Sequence, residues 1–159
     1  MPAKIQSITL LLCCAACLLI FSSCGPSQKQ RVEELCEAGT QNTRSGSPEK
    51  ALSEFNEAIG LDPKNVPAYM GRGTARFVLQ DIAGAATDYS TVISLDPTNE
   101  PAFLFRAECR YNLKDFTSAM SDLNEAVELD PHDAKALYSR GTARILGCHG
   151  KAFRDRRHA

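Results

Sequence analysis

Small and large apolar residues return along this chain with a period of 34 residues. The tripeptides Leu61-Asp62-Pro63, Leu95-Asp96-Pro97 and Leu129-Asp130-Pro131 mark the period. Between them one column is small: Gly39, Gly73, Ala107 and Gly141. A second is alanine: Ala51, Ala85 and Ala119. Two columns are large: Leu35, Tyr69, Phe103 and Leu137, and then Phe55, Tyr89 and Leu123. Small residues let helix backbones approach, and the large ones fill the space around them. A period of this length belongs to a stacked array of helix pairs.

Punctuation residues divide each unit in two. Pro63, Pro97 and Pro131 stop a helix, because proline lacks the N–H and clashes with the preceding turn. Asn65, Asn99 and Asp133 suit the N-cap of the next helix, and Ser47, Asp81 and Asp115 suit that of the second helix in each unit. Pro48 fits a first helical position. The pattern predicts first helices near 32–44, 66–79, 100–113 and 134–146, and second helices near 48–60, 82–94 and 116–128. The chain thus reads as three full repeats (32–65, 66–99, 100–133) and a partial fourth (134–159). The fourth slips register: Phe153 falls in the alanine column, with Ala152 one place early.

These columns and prolines resemble the tetratricopeptide repeat (TPR) family over residues 32–146. The resemblance implies an all-α fold, a right-handed superhelical array of antiparallel helix pairs whose first helices line a peptide-binding groove. Asn42, Arg76, Arg110 and Arg144 depart from the family's aromatic near the end of the first helix. The family's Lys/Asn/Arg clamp for carboxylate tails is also missing. Cys36, Thr40, Gly71, Pro101 and Phe105 occupy those places, so carboxylate-tail recognition of that kind is not expected.

On each first helix, the face opposite the packing columns follows spacings of four and three, one stripe of a helix. It reads Cys36, Thr40, Thr43; Met70, Thr74, Phe77; Leu104, Glu108, Tyr111; and Tyr138, Thr142, Ile145, with Phe105 at its edge. Apolar and aromatic residues clustered on an open face point to a partner site. The stripes of the second and third repeats are the richest, which places the partner across Met70, Phe77, Leu104 and Tyr111. The alternative is that some of these residues pack beneath neighbouring helices.

Recurring charges offer a structural reading. Arg72, Arg106 and Arg140 share one column; Asp88 and Asp122 share another, with Asp155 their counterpart after the slip. Arg–Asp pairing between the helices of a unit fits the guanidinium fork; a ligand-binding ladder of arginines is the alternative. The first repeat carries Ala38 and Glu54 instead.

The N-terminus is of a different kind. Residues 8–21 are uncharged and mostly apolar, too short for a spanning helix of roughly 20 residues and of the right length for a secretory signal. Ser22-Ser23-Cys24-Gly25 resembles a bacterial lipobox, whose cysteine is lipidated and becomes the mature N-terminus, although Phe21 stands where Leu is preferred. The expected organisation is a signal peptide (1–23), then lipidated Cys24 and a linker (24–31). Gly25 resembles the residue that sorts lipoproteins to the outer membrane, facing the periplasm. An ordinary cleaved signal and an uncleaved anchor are the alternatives.

Composition narrows the chemistry. The formal charge is −1, and loss of residues 1–23 would remove only Lys4. That balance gives no electrostatic case for nucleic acid. Of seven cysteines, Cys13, Cys14 and Cys17 lie in the signal and Cys24 is the lipid site. Cys36, Cys109 and Cys148 are expected as free thiols. Cys148, His149 and His158 match no standard zinc spacing, and no Gly-rich phosphate loop or catalytic constellation appears. The expectation is a non-enzymatic, cofactor-free, membrane-tethered scaffold for a protein or peptide partner in the bacterial envelope. Its rivals are a self-associating module and an accessory subunit of a secretion, pilus or envelope-assembly complex.

Overall fold

A computed structural model describes the backbone of residues 27–155 and the side chains of residues 27–145. The expected signal sequence and Cys24, and the side chains of Cys148, His149, Asp155 and His158, therefore lie outside what is described. Among the described residues seven helices follow one another: α1 (Gln28–Arg44), α2 (Pro48–Leu61), α3 (Val66–Val78), α4 (Ile82–Leu95), α5 (Glu100–Asn112), α6 (Phe116–Leu129) and α7 (Ala134–Asp155). Consecutive helices pack on one another, giving three antiparallel pairs and a seventh helix. No described helix is long and apolar enough to cross a membrane.

The caps explain the boundaries. Asn65, Asn99 and Asp133 accept the N–H of Ala68, Ala102 and Ala136 at 2.9, 3.2 and 3.1 Å. Asp81 and Asp115 do the same for Gly84 and Ser118. Ser47 is the exception to the sequence expectation: it makes no side-chain cap bond, and α2 starts on Pro48. Within each pair the chain reverses through a left-handed residue, Gly46, Gln80 or Lys114, at φ of 79°, 65° and 66°. Between pairs, Asp62, Asp96 and Asp130 are extended, and each accepts the N–H two residues on.

Two boundaries differ from the sequence reading. The segment 28–31, expected as linker, is the first turn of α1. Ser27 and Gln30 form a reciprocal capping box that starts the helix there. At the other end α7 continues through Asp155 instead of stopping near 146.

The core is segmented along the array. Phe55 sits at the centre of the first cluster, Tyr89 of the second and Leu123 of the third. Phe55 and Tyr89 are 1% and 2% exposed. Full burial of a ring of this size stabilises the fold by about 2–3 kcal/mol. The small column lets them in. A Cβ at Gly39 would lie 2.7 Å from the Phe55 ring, and one at Gly73 would lie 2.8 Å from that of Tyr89.

The predicted Arg–Asp pairs are present in two repeats, and each has a second arm. Asp88 accepts Arg72 Nη2 at 2.6 Å and Arg76 Nη1 at 2.8 Å. Asp122 accepts Arg106 Nη2 and Arg110 Nη1, both at 2.7 Å. Arg76 and Arg110, read in sequence only as lost aromatics, close these clamps. The first repeat uses a neutral donor: Asn42 reaches both oxygens of Glu54 at 2.8 and 2.9 Å. Arg72 also reaches back to Asn56, and Arg106 to Ser90, on the second helix of the preceding unit.

Candidate functional site: a hollow between the third repeat and the last helix

Two columns meet wherever one repeat packs on the next. The first holds Phe55, Tyr89 and Leu123; the second holds Gly71, Phe105 and Ser139. At the first junction Phe55 fills the space that Gly71 vacates, and a Cβ at Gly71 would run into the ring. At the second, Tyr89 stacks on Phe105 with centroids 5.6 Å apart. At the third, Leu123 faces Ser139, and both are too small to close the gap. A hollow of about 360 Å³ results, lined by Leu104, Glu108, Tyr111, Leu123, Lys135, Tyr138, Ser139 and Thr142 among others.

The lining is largely apolar. Tyr138 is 77% exposed, an unusual degree for so large a ring. Tyr111 is half-buried, held edge-on against Phe116 at 5.2 Å between centroids. Glu108 is exposed on the α5 side. Lys135 lies on the α7 side, its Nζ 4.5 Å from the centre of the Phe105 ring. The hollow therefore offers aromatic surface between one acidic and one basic group.

Eight of the residues expected to line the groove, those richest in apolar and aromatic surface and their polar neighbours, divide into two sets. Leu104, Glu108, Tyr111 and Tyr138 come together at the hollow. Leu104 was expected to be open, but it is only 7% exposed and belongs to the third core cluster. Met70, Thr74, Phe77 and Phe105 lie one repeat earlier around Tyr89. Met70, Phe77 and Phe105 pack against the second core cluster. Thr74 is exposed, and its hydroxyl lies 3.3 Å from the Tyr89 hydroxyl. The open apolar surface thus sits one junction further along than the stripes alone imply. The sequence reading missed Leu123, Lys135 and Ser139, which shape the hollow.

Reactive groups near this face are muted. Burial pushes the Cys109 thiol up to about 12 and the Tyr89 phenol to about 12. Cys36 is also raised by burial and is a free thiol, as is Cys109. Its Sγ lies 3.6 Å from Asn65 Oδ1. Among the described residues no group of His, Cys, Asp and Glu is placed to hold a metal ion.

Comparisons with known proteins agree with this architecture. The second TPR domain of human RPAP3, solved in complex with the HSP70 peptide SGPTIEEVD, superposes with a TM-score of 0.71 at 21% identity, covering 74% of this chain and 98% of that one. The TPR domain of Arabidopsis OM64 gives 0.73 at 25% identity, covering 76% and 99%. The Sgt2 TPR domain of Aspergillus fumigatus gives 0.74 at 17%, covering 80% and 88%. No curated protein sequence matches. Two family profiles, each described as tetratricopeptide repeat, match residues 43–100 and 101–133, together more than half of the chain. On its columns, its stacked helix pairs and these matches, the chain belongs to the tetratricopeptide repeat family.

Proposed function

We propose that this chain is an interaction scaffold that takes an apolar segment of another protein into the hollow between α5 and α7. The observation that carries this reading is the Leu123–Ser139 junction, which leaves about 360 Å³ open beside Tyr111 and Tyr138. Aromatic anchors desolvated in such a hollow dominate interface energies, at about 2 kcal/mol or more each. Peptide binding by the human RPAP3 domain supports this class of function. The mode differs. That peptide ends in EEVD, whereas this chain has Cys36, Thr40, Gly71, Pro101 and Phe105 where the family's carboxylate clamp would be. The selected segment is therefore internal and apolar, an extended strand or a helix face.

Its setting, on this reading, is the bacterial envelope. Cys24 carries a lipid tether, residues 1–23 are removed, and the scaffold faces the periplasm from the outer membrane. The apolar run 8–21 and the small residues before Cys24 support this.

Binding is tested with a peptide library displayed against the full chain, its hits ranked by Kd. Tyr111→Ala with Tyr138→Ala should weaken apolar hits by at least about tenfold with helicity unchanged. Leu123→Tyr with Ser139→Phe, which rebuilds the stack found at the second junction, should abolish them. Hits that ignore both variants, or that require a C-terminal carboxylate, would overturn the reading. The tether is tested with labelled fatty acid: label must enter the wild type and be absent from Cys24→Ala.

A further inference from the structure

The last helix presents a second feature, on a different face. Arg140 and Arg144 continue the columns of Arg72 and Arg76 and of Arg106 and Arg110. In both earlier repeats such a pair grips one aspartate on the following helix. Among the described residues, Arg140 and Arg144 have no carboxylate within ion-pair distance, although they share a recess with Met120, Asn124, Leu137 and Gly141. Leu137 is 41% exposed there. Gly141 repeats the theme: at Gly39 and Gly73 a Cβ would meet a ring of the following helix, but at Gly141 it would meet nothing within 4 Å. The surface has the shape and charge of a helix seat.

The sequence contains a matching helix. Five residues separate each left-handed turn residue from the alanine of the next helix, and three more lead to the gripped carboxylate: Gly46, Ala51, Glu54; Gln80, Ala85, Asp88; Lys114, Ala119, Asp122. Gly147, Ala152 and Asp155 keep both spacings. Phe153 likewise falls in the apolar column of Leu52, Ala86 and Met120, while Arg156 departs from that of Phe55, Tyr89 and Leu123. Yet α7 runs unbroken through Asp155. At 1.5 Å per residue, Asp155 then lies about 16 Å along the axis from Arg144 and about 22 Å from Arg140. A chain built this way cannot fill its own clamp.

We propose that the occupant is a second copy of this chain. The two copies exchange residues 147–155, so that Asp155 of each enters the Arg140/Arg144 clamp of the other. Such an exchange is reciprocal, closes with two-fold symmetry, and reuses contacts the fold already makes twice. It does not involve the hollow that receives the partner segment.

Charge reversal tests this. The full chain, kept in detergent, is measured by sedimentation from about 1 to 100 μM, with circular dichroism as a folding control. Wild type should form a dimer. Asp155→Arg alone should be monomeric, with dimer affinity at least about tenfold weaker. Arg140→Asp with Arg144→Asp should be monomeric as well. Mixed in equal amounts, the two variants should form a heterodimer, because each exchanged segment then meets an opposite charge. Tyr111→Ala with Tyr138→Ala should leave the dimer intact. A wild type that stays monomeric at 100 μM, as it would if 147–155 folded back on its own clamp, would overturn the proposal. So would a dimer indifferent to Asp155→Arg, even if the double arginine variant fails to fold.

Discussion

Replacing Asp88 by alanine removes the acceptor of three charged hydrogen bonds at once. Arg72 Nε and Nη2 lie 3.0 and 2.6 Å from its oxygens, and Arg76 Nη1 lies 2.8 Å away. The carboxylate is 1% exposed, so nothing replaces it and two guanidinium groups are left facing each other. Breaking a buried pair in this way costs about 3–5 kcal/mol. The arginine side chains keep 16% and 26% of their surface in solvent, so their heads regain some water and the lower end applies, about 3 kcal/mol. At about 4 °C per kcal/mol for an array of this size, Tm should fall by roughly 12 °C. Glu54→Gln is the internal control. Glu54 occupies the same column but meets only the neutral Asn42, so its loss should cost below about 1 kcal/mol. Thermal denaturation followed at 222 nm compares the two directly. A third variant separates charge burial from packing: Asp88→Leu with Arg72→Leu and Arg76→Met removes the three charges of the clamp, leaving only the half-exposed Asp81 beside Arg76, and should recover most of the loss. Equal Tm values for Asp88→Ala and Glu54→Gln would refute the claim that the clamps stabilise the array.

Gly73→Leu should lower stability by about 1–3 kcal/mol or more, because its Cβ alone would sit 2.8 Å from Tyr89 Cε1. Exposed Thr98→Leu should change little, and matching melts would count against the packing register. Glu100 has a buried Oε1 without a hydrogen-bond partner. Burial, then the charge of Asp133, holds its carboxyl above the usual range. Asp133 keeps its own charge, lowered chiefly by the N–H of Lys135. The sign follows: an acid whose folded pKa is raised favours folding in acid and loses that contribution as pH climbs through the folded value. Glu100→Gln should therefore raise Tm at pH 7 and much less at pH 4. An equal gain at both would exclude titration of Glu100 as the cause.

The period made the helices legible, since Pro63, Pro97 and Pro131 and the Asx caps act within a few residues of themselves. Contacts within one unit were legible for the same reason: Arg72 and Asp88 recur in step, 16 residues apart. The second arms are equally periodic, Arg76 and Arg110 each 12 residues before their aspartate, but in sequence the same two positions stand out first as departures from the family's aromatic. The start of α1 was also encoded, in the Ser27–Gln30 box, and was masked by the polar run around it. The hollow was less accessible. A repeat aligns residues into columns without stating which columns touch. Only the packing of Tyr89 on Phe105 shows that Leu123 must be compared with Ser139. Leu104 failed the exposure expectation because helix spacing fixes a face, whereas burial depends on what α6 and α7 place over it.

The backward reach of the arginines has a consequence for how the array comes apart. Arg72 holds Asp88 in its own unit and Asn56 in the one before; Arg106 holds Asp122 and Ser90. Each guanidinium is thus shared by neighbours, so losing one unit strips a partner from the next. In a one-dimensional chain of such couplings, stability is a property of position as much as of composition. The units linked on both sides open last. In a single, undimerised copy the first repeat, tied by Asn42 and Glu54, and α7, whose clamp has no carboxylate among the described residues, form the two fraying ends. Amide exchange should run inward from both, leaving α3 to α6 as the last structure to yield.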